Sequence, residues 1–200
     1  MDYTVYEKDN IMRVKQIQFT KGAYYHLYNH SSKGDLLFKD DEDYQKCLDL
    51  VRRLVSNEFY EVKAYCLMPN HYHILIHQKT EAEVNLPFFQ IWQRYARYFN
   101  EKHNCIGSIF RQKLQHIWIK EEQYLLNVAV YIHMNPVIAG LVDRPENWKW
   151  SDAGAWLGEN GNTSLSAEIG FPEIISPQAY VDVLREAISI KSGCKYFIDD

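Results

Sequence analysis

Tyr60-Glu-Val-Lys-Ala-Tyr-Cys-Leu67, Met68-Pro-Asn70 and His71-Tyr-His-Ile-Leu-Ile-His77 follow one another, and their reading decides the fold. The first and third stretches alternate like β-strands and are rich in β-branched and aromatic residues. Met68-Pro69-Asn70 between them is a tight hairpin connection. On a strand, residues i and i+2 point to the same face. His71 and His73 therefore project side by side, immediately after the turn.

Working outward, Ala23-Tyr-Tyr-His-Leu-Tyr-Asn29 is another aromatic-rich strand, and Ser31-Ser-Lys-Gly34 a turn. Asp41 to Val55 carries apolar residues at helical spacing (Tyr44, Cys47, Leu48, Val51, Leu54, Val55) behind an Asp-rich start suited to the helix dipole. On the other side, Phe88 to Asn100 shows a helical stripe of Phe88, Ile91, Trp92, Tyr95 and Phe99. Gly107 breaks that pattern, and Ile109 to Lys120 suits a further strand. Glu121 to Met134 reads as a helix closed by Asn135-Pro136, with a short helical turn restarting at Pro136. Residues 143–160 are Trp-rich and loop-like. Gly158 to Gly161 marks a boundary, and Pro177 to Ile188 a last amphipathic helix. Strand, helix, strand, strand, helix, strand is the ferredoxin-like β-α-β-β-α-β order. It predicts an α+β fold with an antiparallel sheet and helices on one face. The other face is left for a ligand or an additional helix.

The chain has 200 residues, enough for one full core without disulfide or metal staples. Its four cysteines lie far apart and form no CxxC pair, which speaks against a zinc ribbon or a secreted disulfide scaffold. The first ten residues are polar, and no run approaches ~18 apolar residues, so neither signal peptide nor membrane span is expected. A cytoplasmic location follows as the default. No Walker loop is present, so no nucleotide cofactor is expected. The net charge of −4 argues by itself against nucleic acid. Yet Pro87 to Lys120 holds six basic residues against the single acid Glu101, while the acids gather around Asp35–Asp49 and after Asp143. The local patch, not the sum, decides the partner.

Three constellations carry candidate chemistry. His71 and His73 form a two-ligand metal platform; the plain alternative is a pair of core or surface histidines. His77 continues the alternation and is a weaker ligand candidate. Tyr131 and Asn135 stand at i and i+4, on one helix face, although Pro136 disfavours helical geometry at Asn135. The plain reading there is a core aromatic and a helix stop. The basic window also holds eight aromatics, and cations with exposed rings suit phosphates and unpaired bases. The plain alternative is an amphipathic helix with a solvated basic side, with Trp92, Tyr95 and Phe99 in the core.

Tyr25-His26-Leu27, Phe38 to Tyr44, Ala64-Tyr-Cys-Leu-Met-Pro-Asn-His-Tyr-His73, Tyr98-Phe99-Asn100, Gly107-Ser-Ile-Phe110, Tyr131-Ile-His-Met-Asn-Pro136 through Val142, and Trp150-Ser151 occur in one order. In this the chain resembles the single-tyrosine HUH transposases, and among them the REP-associated tyrosine transposases, over about residues 20–157. The resemblance implies a ferredoxin-like sheet with a catalytic helix, Tyr131 as nucleophile, and His71, His73 and Asn135 as ligands of a divalent metal, Mg or Mn. Residues 1–157, with an N-terminal arm at 1–20, would form the transposase domain; residues 158–200 would be a C-terminal helical extension. His30-Ser31-Ser32-Lys33-Gly34 replaces an Arg-Gly pair common in relatives, and Lys113-Leu114-Gln115-His116 an Arg-Phe-Lys-like run. Both departures touch DNA-contact positions.

The implied reaction is nicking and strand transfer on single-stranded DNA beside a hairpin, through a 5′-phosphotyrosine. A phenol of pKa ~10 needs help to attack at neutral pH, which a metal at the phosphate supplies. Arg94, Arg97, Arg111 and Lys113 are the expected phosphate contacts, and the protein is expected to act as a monomer or homodimer. Two alternatives stand beside this: a catalytically silent DNA-binding module, and a metal-dependent hydrolase using the two histidines. Leu75, where many such hydrolases carry an acid, counts against the latter.

Overall fold

A computed structural model describes residues 19–55, 59–80, 85–121, 124–158, 165 and 176–190. The sheet is built from β1 (Tyr24–His30), β2 (Tyr60–Met68), β3 (His71–Gln78) and β4 (Gln115–Ile119). Five helices accompany it among the described residues: α1 (Asp41–Val55), α2 (Asn85–His103), α3 (Leu125–Ile138), the short α4 (Ala153–Trp156) and α5 (Pro177–Ile190). The strand order is β2-β3-β1-β4, with every neighbouring pair antiparallel. This is the ferredoxin-like arrangement expected from the order of elements. The two central strands carry the histidines.

The two faces of the sheet are filled differently. Tyr25, Leu27, Tyr72, Ile74 and Ile76 point to one face, where they meet Tyr44, Cys47, Leu48 and Val51 of α1 and Ile91, Trp92, Tyr95 and Phe99 of α2. The aromatic stripe of α2 is thus core, and the Tyr72 ring stacks on Trp92 at 3.8 Å. On the opposite face, Ala64, Cys66, Met68 and Leu75 pack with Leu125, Val128, Ala129 and Ile132 of α3. Tyr180 and Leu184 of α5 join that second cluster, so the extension packs onto α3. α3 is apolar nearly all round because the sheet buries one side of it and α5 another.

A bulge reverses which residues of β2 face each core. The register of β2 with β3 shifts between Val62 and Ala64, leaving Lys63 as the extra residue. Val62 then faces the α1/α2 core, while Ala64 and Cys66 face α3. Lys63 is 5% exposed and its ammonium reaches Glu61 at 3.0 Å, so the buried cation is paired. The outer edge of β2 is covered: Leu67 N–H donates to Trp150 C=O at 2.9 Å, and Cys66 bridges Ser151.

Several boundaries differ from the expectations. β4 is confined to Gln115–Ile119, after a loop that turns through Gly107 at φ 101°. Residues 143–160 are not all loop; they hold a 3-10 turn, Pro145–Asn147, and α4. α3 runs unbroken through Pro136 to Ile138 rather than stopping at Asn135. Residues 1–18 of the expected arm, and the Gly158 to Gly161 boundary beyond Gly158, lie outside the described residues.

Candidate active site

The hairpin turn is tied to the chain leaving β1. Ser31 N–H donates to Asn70 C=O at 2.8 Å, and Leu37 N–H to Pro69 C=O at 2.7 Å. His30 and His71 are directly paired across β1 and β3. Their rings lie 5.0 Å apart and nearly parallel. The next pair on the same face is Tyr28 with His73, then His26 with Leu75. The α3 side of the central strands therefore carries four histidines and a tyrosine at its hairpin end.

Within that set the nitrogens are individually defined. His71 Nδ1 is 2.8 Å from Asn70 Oδ1, and its Nε2 is 3.5 Å from Asn135 Oδ1. His73 Nδ1 lies 3.0 Å from His26 Nε2. His73 Nε2 is buried and finds no hydrogen-bond partner among the described residues. Burial holds the His73 pKa well below the ordinary imidazole value; the neighbouring histidines add to this, and Asn135 opposes it. The ring is neutral at physiological pH, as a metal ligand must be.

Tyr131 and Asn135 meet this group from α3. The Tyr131 ring stands edge-on to His73, with centroids 5.5 Å apart, and 6.2 Å from His26. Pro136 explains the geometry of Asn135. Proline has no N–H to give Ile132 C=O one turn earlier. The Asn135 side-chain NH2 turns back instead, donating to Tyr131 C=O at 2.8 Å and approaching Ile132 C=O at 3.5 Å. That fixes the amide with its oxygen toward His71. The two imidazoles, 5.0 Å apart and nearly perpendicular, and this amide oxygen form a ligand set suited to a divalent cation. The orphaned His73 nitrogen is the observation that fits it. A groove of about 370 Å³ opens beside Tyr131, lined also by His26, Ile117, Ile119, Tyr124 and Val128.

His77 does not join the site. It stacks on Tyr24 at 4.4 Å, and its Nδ1 is 3.5 Å from Glu61. The cations divide as well. Arg111 and Lys113 are exposed, and Arg111 N–H donates to His30 C=O at 3.0 Å, which sets them at the histidine end of the sheet. Arg94 and Arg97 are exposed on α2, whose layer covers the opposite face, and Arg97 lies 3.5 Å from Glu101. Within His30–Gly34, residues Ser32–Gly34 form a 3-10 turn whose Ser32 N–H donates to Ile109 C=O.

Sequence reading assigned no role to His26, although Tyr25-His26-Leu27 was part of the resemblance. It also missed a second cluster with metal-like spacing, Asp40, Asp43 and His103. There the Lys102 ammonium already sits 2.7 Å from Asp40 and 3.0 Å from Asp43, with Glu42 at 3.0 Å. The chain supplies its own cation at this place. The cluster acts as a cap: Asp43 N–H donates to Asp40 Oδ1 at the start of α1.

Comparison with known proteins bears on the family and the fold. The family model for IS200-like transposases matches residues 19–134. No curated protein matches the chain. Among solved structures, the REP-associated tyrosine transposase bound to a REP hairpin aligns with a TM-score of 0.57 at 15% identity, covering 83% of this chain and 98% of that one. A Deinococcus radiodurans chain assigned as a transposase aligns at 0.40 and 18% identity, covering 55% and 88%. The tRNA(His) guanylyltransferase of Saccharomyces cerevisiae aligns at 0.45 and 11% identity, covering 90% and 81%. Only the first of these has a TM-score that supports a shared fold. The family match spans more than half of the chain, from β1 through Tyr131, and so the protein belongs to the IS200-like transposases.

Proposed function

We propose that the protein nicks and rejoins single-stranded DNA by transesterification, with Tyr131 as nucleophile, at sites flanked by hairpins. The Tyr131 oxygen attacks a backbone phosphate and forms a phosphotyrosine ester with the 5′ end. The bond to the 3′ oxygen breaks, and that oxygen leaves as a 3′-hydroxyl, taking up a proton. The link conserves the ester for later strand transfer. The observation that carries the reading is the convergence of Tyr131 and Asn135, from one helix, on His71 and His73, from one strand.

His71, His73 and Asn135 would hold a divalent ion, Mg or Mn. When bound, the ion supplies polarisation of the phosphate and offsets the charge that develops on it. Two imidazoles favour softer ions than magnesium, so manganese suits both the ligands and the reaction. The chain's own residues do the rest. α3 holds Tyr131 edge-on to the neutral His73, and the Asn135 backbone anchorage keeps its oxygen in place. Arg111 and Lys113 lie where a strand entering from the hairpin end would pass, and they are the favoured phosphate contacts. Arg94 and Arg97 would touch DNA only if it wrapped round to the α2 layer.

The REP-associated tyrosine transposase that aligns with this chain is bound to a REP hairpin, which supports hairpin DNA as the partner here. No described helix is long and apolar enough to cross a membrane. The test is direct. Incubation with a single-stranded hairpin oligonucleotide and Mn2+ is expected to give a denaturant-resistant protein–DNA adduct. Tyr131→Phe and His71→Ala abolish it. An adduct that survives Tyr131→Phe removes the nucleophile assignment. Cleavage without an adduct favours a hydrolase, and retention without cleavage a binding module.

A further inference from the structure

The sheet face that carries His71 and His73 is covered unevenly. α3 packs on β2 and β3, against Ala64, Cys66, Met68 and Leu75. Toward the edge strand β4 the cover thins. Ile117 and Ile119 pair with His26 and Tyr24, point to that same face and stay only partly buried. Between them and α3 lies the groove of about 370 Å³ beside Tyr131. Its place along α3 is informative. Val128 and Tyr124 precede Tyr131 by one and two turns, whereas Asn135 follows it by one. The groove and the proposed ligand set therefore flank Tyr131 on opposite sides. Ile117, Ile119 and Val128 make the walls apolar, and exposed Tyr124 adds a ring. Lys120 borders the groove, but its ammonium turns to the Trp118 ring, 5.6 Å away, and Trp118 is paired with Tyr25 on the other face. Glu121 borders it as well. A carboxylate beside apolar walls repels a phosphate, but it can accept from the amino edge of a base.

We propose that this groove is a nucleobase subsite: it seats the unpaired base of the nucleotide whose 5′ phosphate is transferred to Tyr131, stacked on Tyr124. The proposal rests on the transposase reading above and adds to it a seat for one base of the cut strand. Charge separates the two ends. The exposed cations Arg111 and Lys113 stand at the histidine end, where phosphates pass, and the apolar groove lies beyond Tyr131. The direction of attack selects the nucleotide. With attacking and leaving oxygens in line, the 3′ oxygen departs on the side of the phosphate away from Tyr131. The nucleotide that keeps the phosphate stays tethered to the Tyr131 oxygen, next to the groove. A flat base between aliphatic walls and an aromatic ring is bound by stacking and burial, as in other single-strand sites. The same seat holds the joined end in place between cleavage and rejoining.

The test uses the full chain, Mn2+ and a pool of hairpin oligonucleotides whose single-stranded flank is randomised. The cut position is mapped from the adducts, and the most reactive oligonucleotide is remade with an abasic site directly 3′ of the cut. Loss of that base is expected to raise the DNA concentration for half-maximal adduct rate by about 5- to 150-fold, the range of one base–aromatic stack. In Tyr124→Ala the intact and abasic oligonucleotides should become equivalent, and Tyr124→Phe should restore the difference. Ile117→Trp, which fills the groove from the strand side, should abolish the difference as Tyr124→Ala does. A weakened helix would slow both oligonucleotides alike, so the ratio between them reports the subsite and not the fold. Equal behaviour of intact and abasic DNA in the wild-type protein overturns the subsite and leaves the role of Tyr131 standing. A base effect that persists in both folded variants places the base elsewhere and also overturns it. No adduct from any member of the pool overturns the transposase reading itself.

Discussion

His73 on β3 and His133 on α3 are both buried, but they are partnered in opposite ways. His133 uses both ring nitrogens: Nδ1 is 2.7 Å from the Tyr180 hydroxyl, and Nε2 is 2.8 Å from Asp152 Oδ1. Asp152 is anchored in turn, accepting the Tyr65 N–H at 2.8 Å. This chain of contacts joins α5, α3 and β2 through a fully satisfied network. His73 has one nitrogen on His26, and the other, buried, makes no hydrogen bond of normal geometry, with Asn135 its polar neighbour. A buried polar group left without a partner costs about 1–3 kcal/mol. A fold tolerates that where the atom serves something other than the fold. Two histidines of equal burial thus divide into one that builds the scaffold and one that the scaffold holds in reserve.

The division can be broken experimentally, and the largest effect is expected on the His73 side. His73→Leu removes the orphaned nitrogen together with a proposed ligand. Adduct formation on hairpin DNA should fall by about 100-fold or more. The urea unfolding midpoint should fall by less than for loss of the His133 network, because leucine removes one unpaired nitrogen but strands His26 Nε2, at a cost of about 1–3 kcal/mol. A large loss of stability would place His73 in the same class as His133. The converse change, Asp152→Ala, strips His133 and the Tyr65 amide of their common acceptor. It should cost about 3 kcal/mol. For a chain of this size that is a fall in thermal midpoint of roughly 6–12 °C. Adduct formed per folded molecule, at a temperature well below the transition, should change much less.

The smallest expected effect concerns His77, which belongs to neither class. It sits at the rim beside Glu61. Burial alone would raise the Glu61 pKa, but hydrogen bonds from Lys79 and Lys63 outweigh it and draw it from 4.5 to about 2. A carboxylate depressed in the folded state stabilises fully above its unfolded value, and that contribution is lost as pH falls through the folded one. Stability should therefore decline between about pH 4.5 and 2, and Glu61→Gln should flatten part of the decline seen by urea titration. Because Glu61 is partly exposed, the effect is modest and should shrink in high salt. An unchanged acid slope in Glu61→Gln would remove the carboxylate from this account.

The legible and illegible parts of the molecule separate on physical grounds. The hairpin, the strand order and the i, i+2 and i, i+4 placements of His71, His73, Tyr131 and Asn135 follow from local spacing, which sequence displays directly. The bulge at Lys63 does not. Beyond Lys63, β2 is buried on both faces, so Ala64 to Met68 carries no polar alternation that a one-residue slip would disturb. The passage of α3 through Pro136 is also hidden. The rule that proline ends a helix is general, and the compensation comes from one side chain. His26 and the His133 network escape for a third reason. Their partners are 47, 19 and 47 residues away, and only the folded sheet brings them together. Arg94 and Arg97 show the limit of composition. They share a basic window with Arg111 and Lys113, but the chain sends them to opposite layers.

The proline inside α3 carries a consequence for the order of events at the site. An asparagine on an ordinary helix surface samples several rotamers and must surrender that freedom when its oxygen is captured. Here the freedom is spent during folding, because the amide already donates to Tyr131 C=O and approaches Ile132 C=O, the one carbonyl that Pro136 leaves without its helical donor. Ordering a polar side chain on binding costs about 0.5–1.5 kcal/mol. At Asn135 that entropy is removed before any ligand arrives, so the helix presents the proposed ligand arm already frozen.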